Sequence, residues 1–184
     1  MNDSGLNYTR VMFAVLDFMS RNPDRAYYVR EVAEMAGVST GAASITLTSL
    51  HGSRLIDLEE KGGLKLYKIN LLNPVSRQFK VLFNVQRLED LVNALSNVAE
   101  RVVLFGSSAQ GTDGEESDID LFIETQSPSK VKAILRDFQE IVHKSSHRNL
   151  SPIIVQPGGL MTIQRKDQPL FENILRGRVL WPKE

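Results

Sequence analysis

Apolar positions recur at helical spacing in the first part of the chain. Leu6, Val11, Phe13, Ala14, Leu16, Phe18 and Met19 share one broad face between residues 6 and 20, and Asn22-Pro23-Asp24 stops the run. A second, short helix is predicted from Val29 to Ala36, closed by Gly37. A third starts at an N-capping Ser39 and runs through Ile45, Leu47 and Leu50 to about His51. The period then changes. Leu55 to Glu59 and Leu64 to Ile69 alternate as two strands around Lys61-Gly62-Gly63, a hairpin.

Residues 78 to 97 return to a helical stripe, with Leu82, Val85, Leu88, Leu91, Val92 and Leu95 on one side and Arg87, Glu89 and Asp90 on the other. This helix fits the core of a second domain and, as the alternative, a dimerisation surface. Beyond it, Val102 to Phe105 is a buried strand by composition and Ile119 to Ile123 an alternating one. A helix from Ser129 to about His143, a strand Ile153 to Val155 and a short helix opened by Pro169 and ending at Leu175 follow. The pattern predicts a two-domain α/β (α+β) chain. An N-terminal helical and hairpin domain covers residues 1–72, a linking amphipathic helix 73–99, and a C-terminal domain with a small mixed sheet flanked by helices 100–184.

Bulk properties narrow the function classes. The 184 residues are 42% hydrophobic, enough to bury a core. Lys plus Arg and Asp plus Glu both total 22, so any attraction for a polyanion must be local. The absence of cysteine excludes disulfides, thiolate metal sites and thiol nucleophiles. His143 and His147 have a zinc-compatible spacing but no third ligand in pattern. Short apolar runs and a charge in the first of them, Asp17, predict a cytoplasmic protein with no membrane partner.

The first three helices, the Gly37-Val38-Ser39 turn, the hairpin and Tyr67 at its end resemble the winged helix-turn-helix transcriptional regulators of bacteria and archaea, over residues 6 to 71. The resemblance implies double-stranded DNA as a partner and a homodimer on two half-sites. Arg30, Ser39, Thr40, Ser44, Arg54, Lys61 and Lys65 are the candidate DNA-contacting residues. The third helix offers base edges only Thr, Ser and small side chains before His51 and Arg54, and residues 1 to 70 carry eight basic and eight acidic groups. A protein-binding winged helix is the other reading.

The chemistry is concentrated further on. Val102 to Phe105 runs into Gly106, which permits a sharp bend, and Ser107 and Ser108 then open a helical turn whose free N–H groups can cradle phosphate. Asp118 and Asp120 project from one face of the next strand, with Cα atoms about 7 Å apart. Two such carboxylates offer hard oxygen ligands to Mg²⁺ or Mn²⁺, and the pair among Ile119, Leu121, Phe122 and Ile123 has no structural benefit of its own.

Gly106-Ser107, ten residues, then Asp118-x-Asp120 resembles the signature of polymerase β-like nucleotidyltransferases, above all the minimal nucleotidyltransferases, some of which act as antitoxins beside a helical ribonuclease toxin. The likeness covers residues 100 to 181, including Pro169-Leu170-Phe171 and Gly177-Arg178-Val179-Leu180. It implies that Asp118 and Asp120 are catalytic metal ligands, that Gly106, Ser107 and Ser108 hold a nucleoside triphosphate, and that a nucleoside monophosphate passes to a protein or nucleic-acid acceptor. A toxin-type partner is part of that expectation. Active members carry a third carboxylate on a later strand, and the matching segment here, Leu150 to Gln156, contains no acid. Glu124 lies about 13 Å along the strand from Asp120, too far to complete a metal shell, and Glu115 and Glu116 sit in a loop. The alternative is therefore a transcriptional regulator whose second domain is an inactive nucleotide sensor or scaffold.

Overall fold

The computed structural model describes residues 8–146 and 148–182 and divides between Lys80 and Val81 into two compact units. In the first, α1 (Arg10–Arg21) is capped by the Thr9 hydroxyl, which accepts from Met12 N. It buries Met12, Val15, Leu16 and Met19, an i, i+3, i+4, i+7 set. Leu6 lies outside the described residues. After the two-residue strand β1 (Tyr27–Tyr28), helices α2 (Val29–Met35) and α3 (Thr40–Gly52) are joined through Gly37, which is left-handed at φ 65°. Strands β2 (Ile56–Lys61) and β3 (Leu64–Ile69) form an antiparallel hairpin, and β1 adds to the other side of β3. Its turn is Gly62-Gly63 alone, at φ 59° and 78°, so Lys61 belongs to the strand, opposite Leu64.

Ala43, Leu47 and Leu50 are buried at i, i+4, i+7, which turns Ile45 outward with 74% of its surface exposed. The single helix expected over 78–97 is two, α4 (Pro74–Arg87) and α5 (Glu89–Leu95), and the division between the units falls within α4. At Leu88 the amide bonds Val85 O, a tightened turn. That bend keeps Leu88, Leu91 and Leu95 all in the core while Leu82 is half-exposed.

The second unit is a four-stranded mixed sheet, order β6-β5-β4-β7, built from β4 (Arg101–Phe105), β5 (Ile119–Glu124), β6 (Leu150–Val155) and β7 (Arg178–Pro182). β5 pairs parallel with β6, and β4 antiparallel with β5 and β7. One face, carrying Val102, Leu104, Ile119, Leu121 and Ile123, packs with Leu91 and Leu95 of α5 and Val131 and Leu135 of α7 (Pro128–Ser146). The other, carrying Val103, Phe105 and Phe122, packs with Leu160 and Ile163 of α8 and Leu170 and Ile174 of α9. Helix α8 (Gly159–Lys166) and strand β7 are elements that periodicity did not reveal. Helix α9 (Gln168–Leu175) has Pro169 in its first turn, as expected, and an Asp167 cap bonded by Leu170 N.

Candidate functional site

At the end of β4 the backbone turns left-handed at Gly106, φ 69°, and enters the single-turn helix α6 (Gly106–Gln110). Two requirements meet at this glycine. Its φ disfavours any side chain, and a Cβ built there would collide with Asp120 Oδ2 and lie 3.2 Å from Asp120 Cγ. The corner and the carboxylate thus share one space because Phe105 and Asp120 are register partners across β4 and β5. A helix of five residues has little macrodipole, so its contribution to an anion is the unsatisfied amides of its first turn.

Asp120 alternates with Ile119, Leu121 and Ile123, which are buried in the opposite layer, and so lies on the α8/α9 face of the sheet, while Asp118 stands just before β5. Asp118 is exposed and Asp120 half-buried. Burial pushes the Asp120 carboxyl above the ordinary aspartate range, and the charge of Asp118 adds to this, against a Ser151 hydrogen bond and the more distant Arg148 charge. Ser151 is also the register partner of Asp120 on β6, the strand position beside the acid pair. Among the described residues no three His, Asp or Glu side chains cluster as a metal site.

The three predicted nucleotide-holding residues, Gly106, Ser107 and Ser108, all lie at the corner, but the Ser108 side chain turns inward. Its hydroxyl is buried and bonded by Arg148 Nη2, because successive helical side chains diverge by about 100° and only one serine can face outward. Glu124 is spent elsewhere, accepting from Gly158 N at 2.7 Å at the start of α8. Glu115 and Glu116 are exposed loop residues. His147 lies outside the described residues.

The residues that sequence reasoning missed are Arg148, Asp113 and Asn84. Arg148 Nη1 pairs with Asp113 Oδ2 at 2.7 Å, with side chains 7% and 1% exposed. Asn84 Nδ2 donates to Asp113 Oδ1 at 2.9 Å and Ser108 O at 3.0 Å. Arg148 and Asp113 sit in polar stretches with no periodic signal and Asn84 inside an amphipathic helix, and only the fold brings them together.

The first unit holds the seven candidate DNA-contacting residues, all exposed. The Ser39 hydroxyl caps α3, accepting from Ala42 N at 3.2 Å, and keeps its proton to donate. Arg54 sits at φ 59° just after α3, and its carbonyl accepts from Asn70 and Asn73 side chains. Lys65 lies opposite Glu60 in the hairpin, and Lys61 opposite an apolar Leu64.

The sequence model of the nucleotidyltransferase domain family matches residues 85–179, more than half of the chain. The chain belongs to the nucleotidyltransferase domain family. The matched span begins in α4 and ends in β7, so it takes in the whole Gly106–Asp120 corner, strands β4, β5 and β6 and the start of β7. No curated protein matches the chain, and no solved structure does. Among the described residues no helix is long and apolar enough to cross a membrane.

Proposed function

We propose that this nucleotidyltransferase domain binds a metal-chelated nucleoside triphosphate between the Gly106-Ser107 corner and the Asp118–Asp120 pair. The observation that carries the reading is the absent Gly106 side chain: its place is filled by the Asp120 carboxylate, so the bend that opens α6 and this acid lie against each other. Asp118 and Asp120 would hold Mg²⁺ or Mn²⁺, for which two hard carboxylates with only Ile119 between them are fitting donors. The ion, when bound, neutralises phosphate charge and polarises the transferring group. The chain's own residues do the positioning. Ser107 and the first-turn amides orient the phosphate oxygens, and the Ser151 hydroxyl steadies Asp120.

Transfer of a nucleoside monophosphate to a protein or nucleic-acid acceptor is the family's reaction, and an antitoxin-like protein acting on a toxin-type partner is one form of it. A specific observation favours a second reading: the β6 residue in register with Asp120 is Ser151, not an acid that could deprotonate an attacking hydroxyl. On this reading the domain senses the nucleotide and the first unit regulates transcription. In either case we assign the first unit, with three helices and a hairpin, as a winged helix-turn-helix that contacts double-stranded DNA through Arg30, Ser39, Thr40, Ser44, Arg54, Lys61 and Lys65, as a cytoplasmic homodimer.

Calorimetry with ATP, with and without Mg²⁺, tests the binding. Magnesium-dependent affinity that Asp118→Ala plus Asp120→Ala abolishes supports it, and no such affinity for any common triphosphate rejects it. Labelled ATP added to the protein with lysate separates the readings: label transferred to an acceptor indicates the enzyme, and nucleotide-dependent binding to selected DNA without transfer indicates the regulator.

A further inference from the structure

We propose that Arg148 is the positioning residue of the second unit's site: its buried guanidinium clamps the loop between α6 and β5, so that the Gly106-Ser107 corner and the Asp118 carboxylate meet at a fixed spacing. This rests on the nucleotide-binding reading above. The guanidinium reaches three consecutive parts of the chain. Nη2 donates to the Ser108 hydroxyl on α6, Nη1 pairs with Asp113 Oδ2 in the loop, Nε donates to Ser117 O at 2.6 Å, and Nη2 donates to Asp118 O at 3.0 Å. Four acceptors are thus served by a side chain with five N–H donors. Asn84 locks the same assembly from α4 through Asp113 Oδ1 and Ser108 O.

The Asp118 carbonyl is the decisive partner. The strand ladder begins at Ile119, paired with Leu150, and at Asp120, paired with Phe105 and Ser151, so Asp120 is oriented by the sheet. Asp118 precedes the ladder. The hydrogen bond from Arg148 to its carbonyl, together with that of Ile119 N to Asn149 O, sets the peptide plane from which its Cα–Cβ bond projects. A buried ion pair is a poor device for stability alone, since apolar side chains of similar volume often do as well. A planar fork that spans a hydroxyl, a carboxylate and two carbonyls supplies register, which a hydrophobic plug would not.

The test uses the full chain and two variants. Arg148→Lys keeps the charge beside Asp113 but cannot reach all four acceptors from one ammonium, and Ser108→Ala removes a single arm with little change of volume. Hydrogen exchange of residues 111–118 in the nucleotide-free protein reads the clamp, and calorimetry with ATP, with and without Mg²⁺, reads its consequence. Arg148→Lys is expected to speed exchange across 111–118 while β4 stays protected, and to weaken Mg²⁺-dependent ATP affinity on the order of 10- to 100-fold, the usual cost of losing a group that orients a metal ligand. Ser108→Ala should do the same to a lesser degree and decides the matter if Arg148→Lys does not fold. Unchanged exchange overturns the proposal, as does a loss of affinity equal with and without Mg²⁺. If the unsubstituted protein binds no Mg²⁺–ATP, the nucleotide reading fails and the clamp stands or falls on the exchange alone.

Discussion

Replacing Gly106 by alanine probes the contact on which the site depends. The left-handed φ of 69° costs an L residue about 1–2 kcal/mol. The new methyl group collides with Asp120 Oδ2, so Asp120 must leave its rotamer, about 1 kcal/mol. It also gives up its bond from Ser151, about 1 kcal/mol more. The variant should therefore lose about 3–4 kcal/mol of unfolding free energy by this reckoning. Gly158→Ala is the control: φ is 83°, nothing lies within 4 Å of a Cβ, and the same unit is probed, so only the backbone cost of about 1–2 kcal/mol applies. Trp181, the sole tryptophan, reports that unit by fluorescence in denaturant titrations. Mg²⁺–ATP affinity should fall at least about 100-fold in Gly106→Ala, equivalent to about 2.7 kcal/mol, and stay within about twofold in Gly158→Ala. Equal destabilisation of the two variants, or full affinity in Gly106→Ala, would refute the reading built on this contact.

Asp120 titrates above the ordinary aspartate value of 3.8, first through burial. The fold then binds that proton more tightly than the unfolded chain does, so its contribution to stability is complete below about pH 4 and is lost as pH rises through the raised value. Mg²⁺ competes with the same proton; its nucleotide-dependent affinity should climb across that window, and affinity falling there with rising pH would count against the assignment. Asp120→Asn should flatten the pH dependence of stability and abolish the metal effect, as read by thermal melts from pH 3.5 to 7. Ser151→Asp sets a third carboxylate in register with Asp120. It should tighten Mg²⁺ at least about tenfold and lower metal-free stability by roughly 1 kcal/mol, with an unchanged metal affinity placing Ser151 outside the site. In the hairpin, Lys61→Ala should reduce the salt slope of DNA binding by about 1 and Lys65→Ala by less, because Glu60 faces Lys65. Salt titrations giving the reverse order would reject this face.

Where local chemistry dictates conformation, the sequence was legible. Gly37, the Ser39 cap, the glycine turn of the hairpin and Pro169 each act within a few residues, and the elements they bound are present, with β2 running on to Lys61 beyond the expected Glu59. The Asp-x-Asp spacing was equally readable, but Asp118 stands just before β5, so strand period alone does not orient it. Which apolar residues of α3 are buried was not legible, because the helix has them on both sides and only packing selects Leu47 over Ile45. The break at Leu88 involves neither proline nor glycine, and β7 becomes a strand only because β4 offers it an edge. Arg148 and Ser108 were unreadable in kind: a buried guanidinium is specified by acceptors 30 to 40 residues away, not by its neighbours.

The two aspartates and the serine beside them bear on how such a site would fill. Asp118 and Asp120 repel each other in the absence of a cation, and burial already disfavours the charged form of Asp120. The charge of Arg148 does little to relieve this, because Asp113 absorbs it at 2.7 Å. A third acid at Ser151 would deepen the metal site and raise the repulsion with it; a hydroxyl instead hydrogen-bonds Asp120 and lowers both. Magnesium surrenders its waters reluctantly, and two carboxylates alone leave most of them in place. Occupancy would then depend on phosphate oxygens arriving on the same ion, held by the amides beyond Gly106. Such a site responds to the metal–nucleotide complex more than to free metal, which suits a nucleotide-responsive protein whether or not an acceptor hydroxyl finds a base.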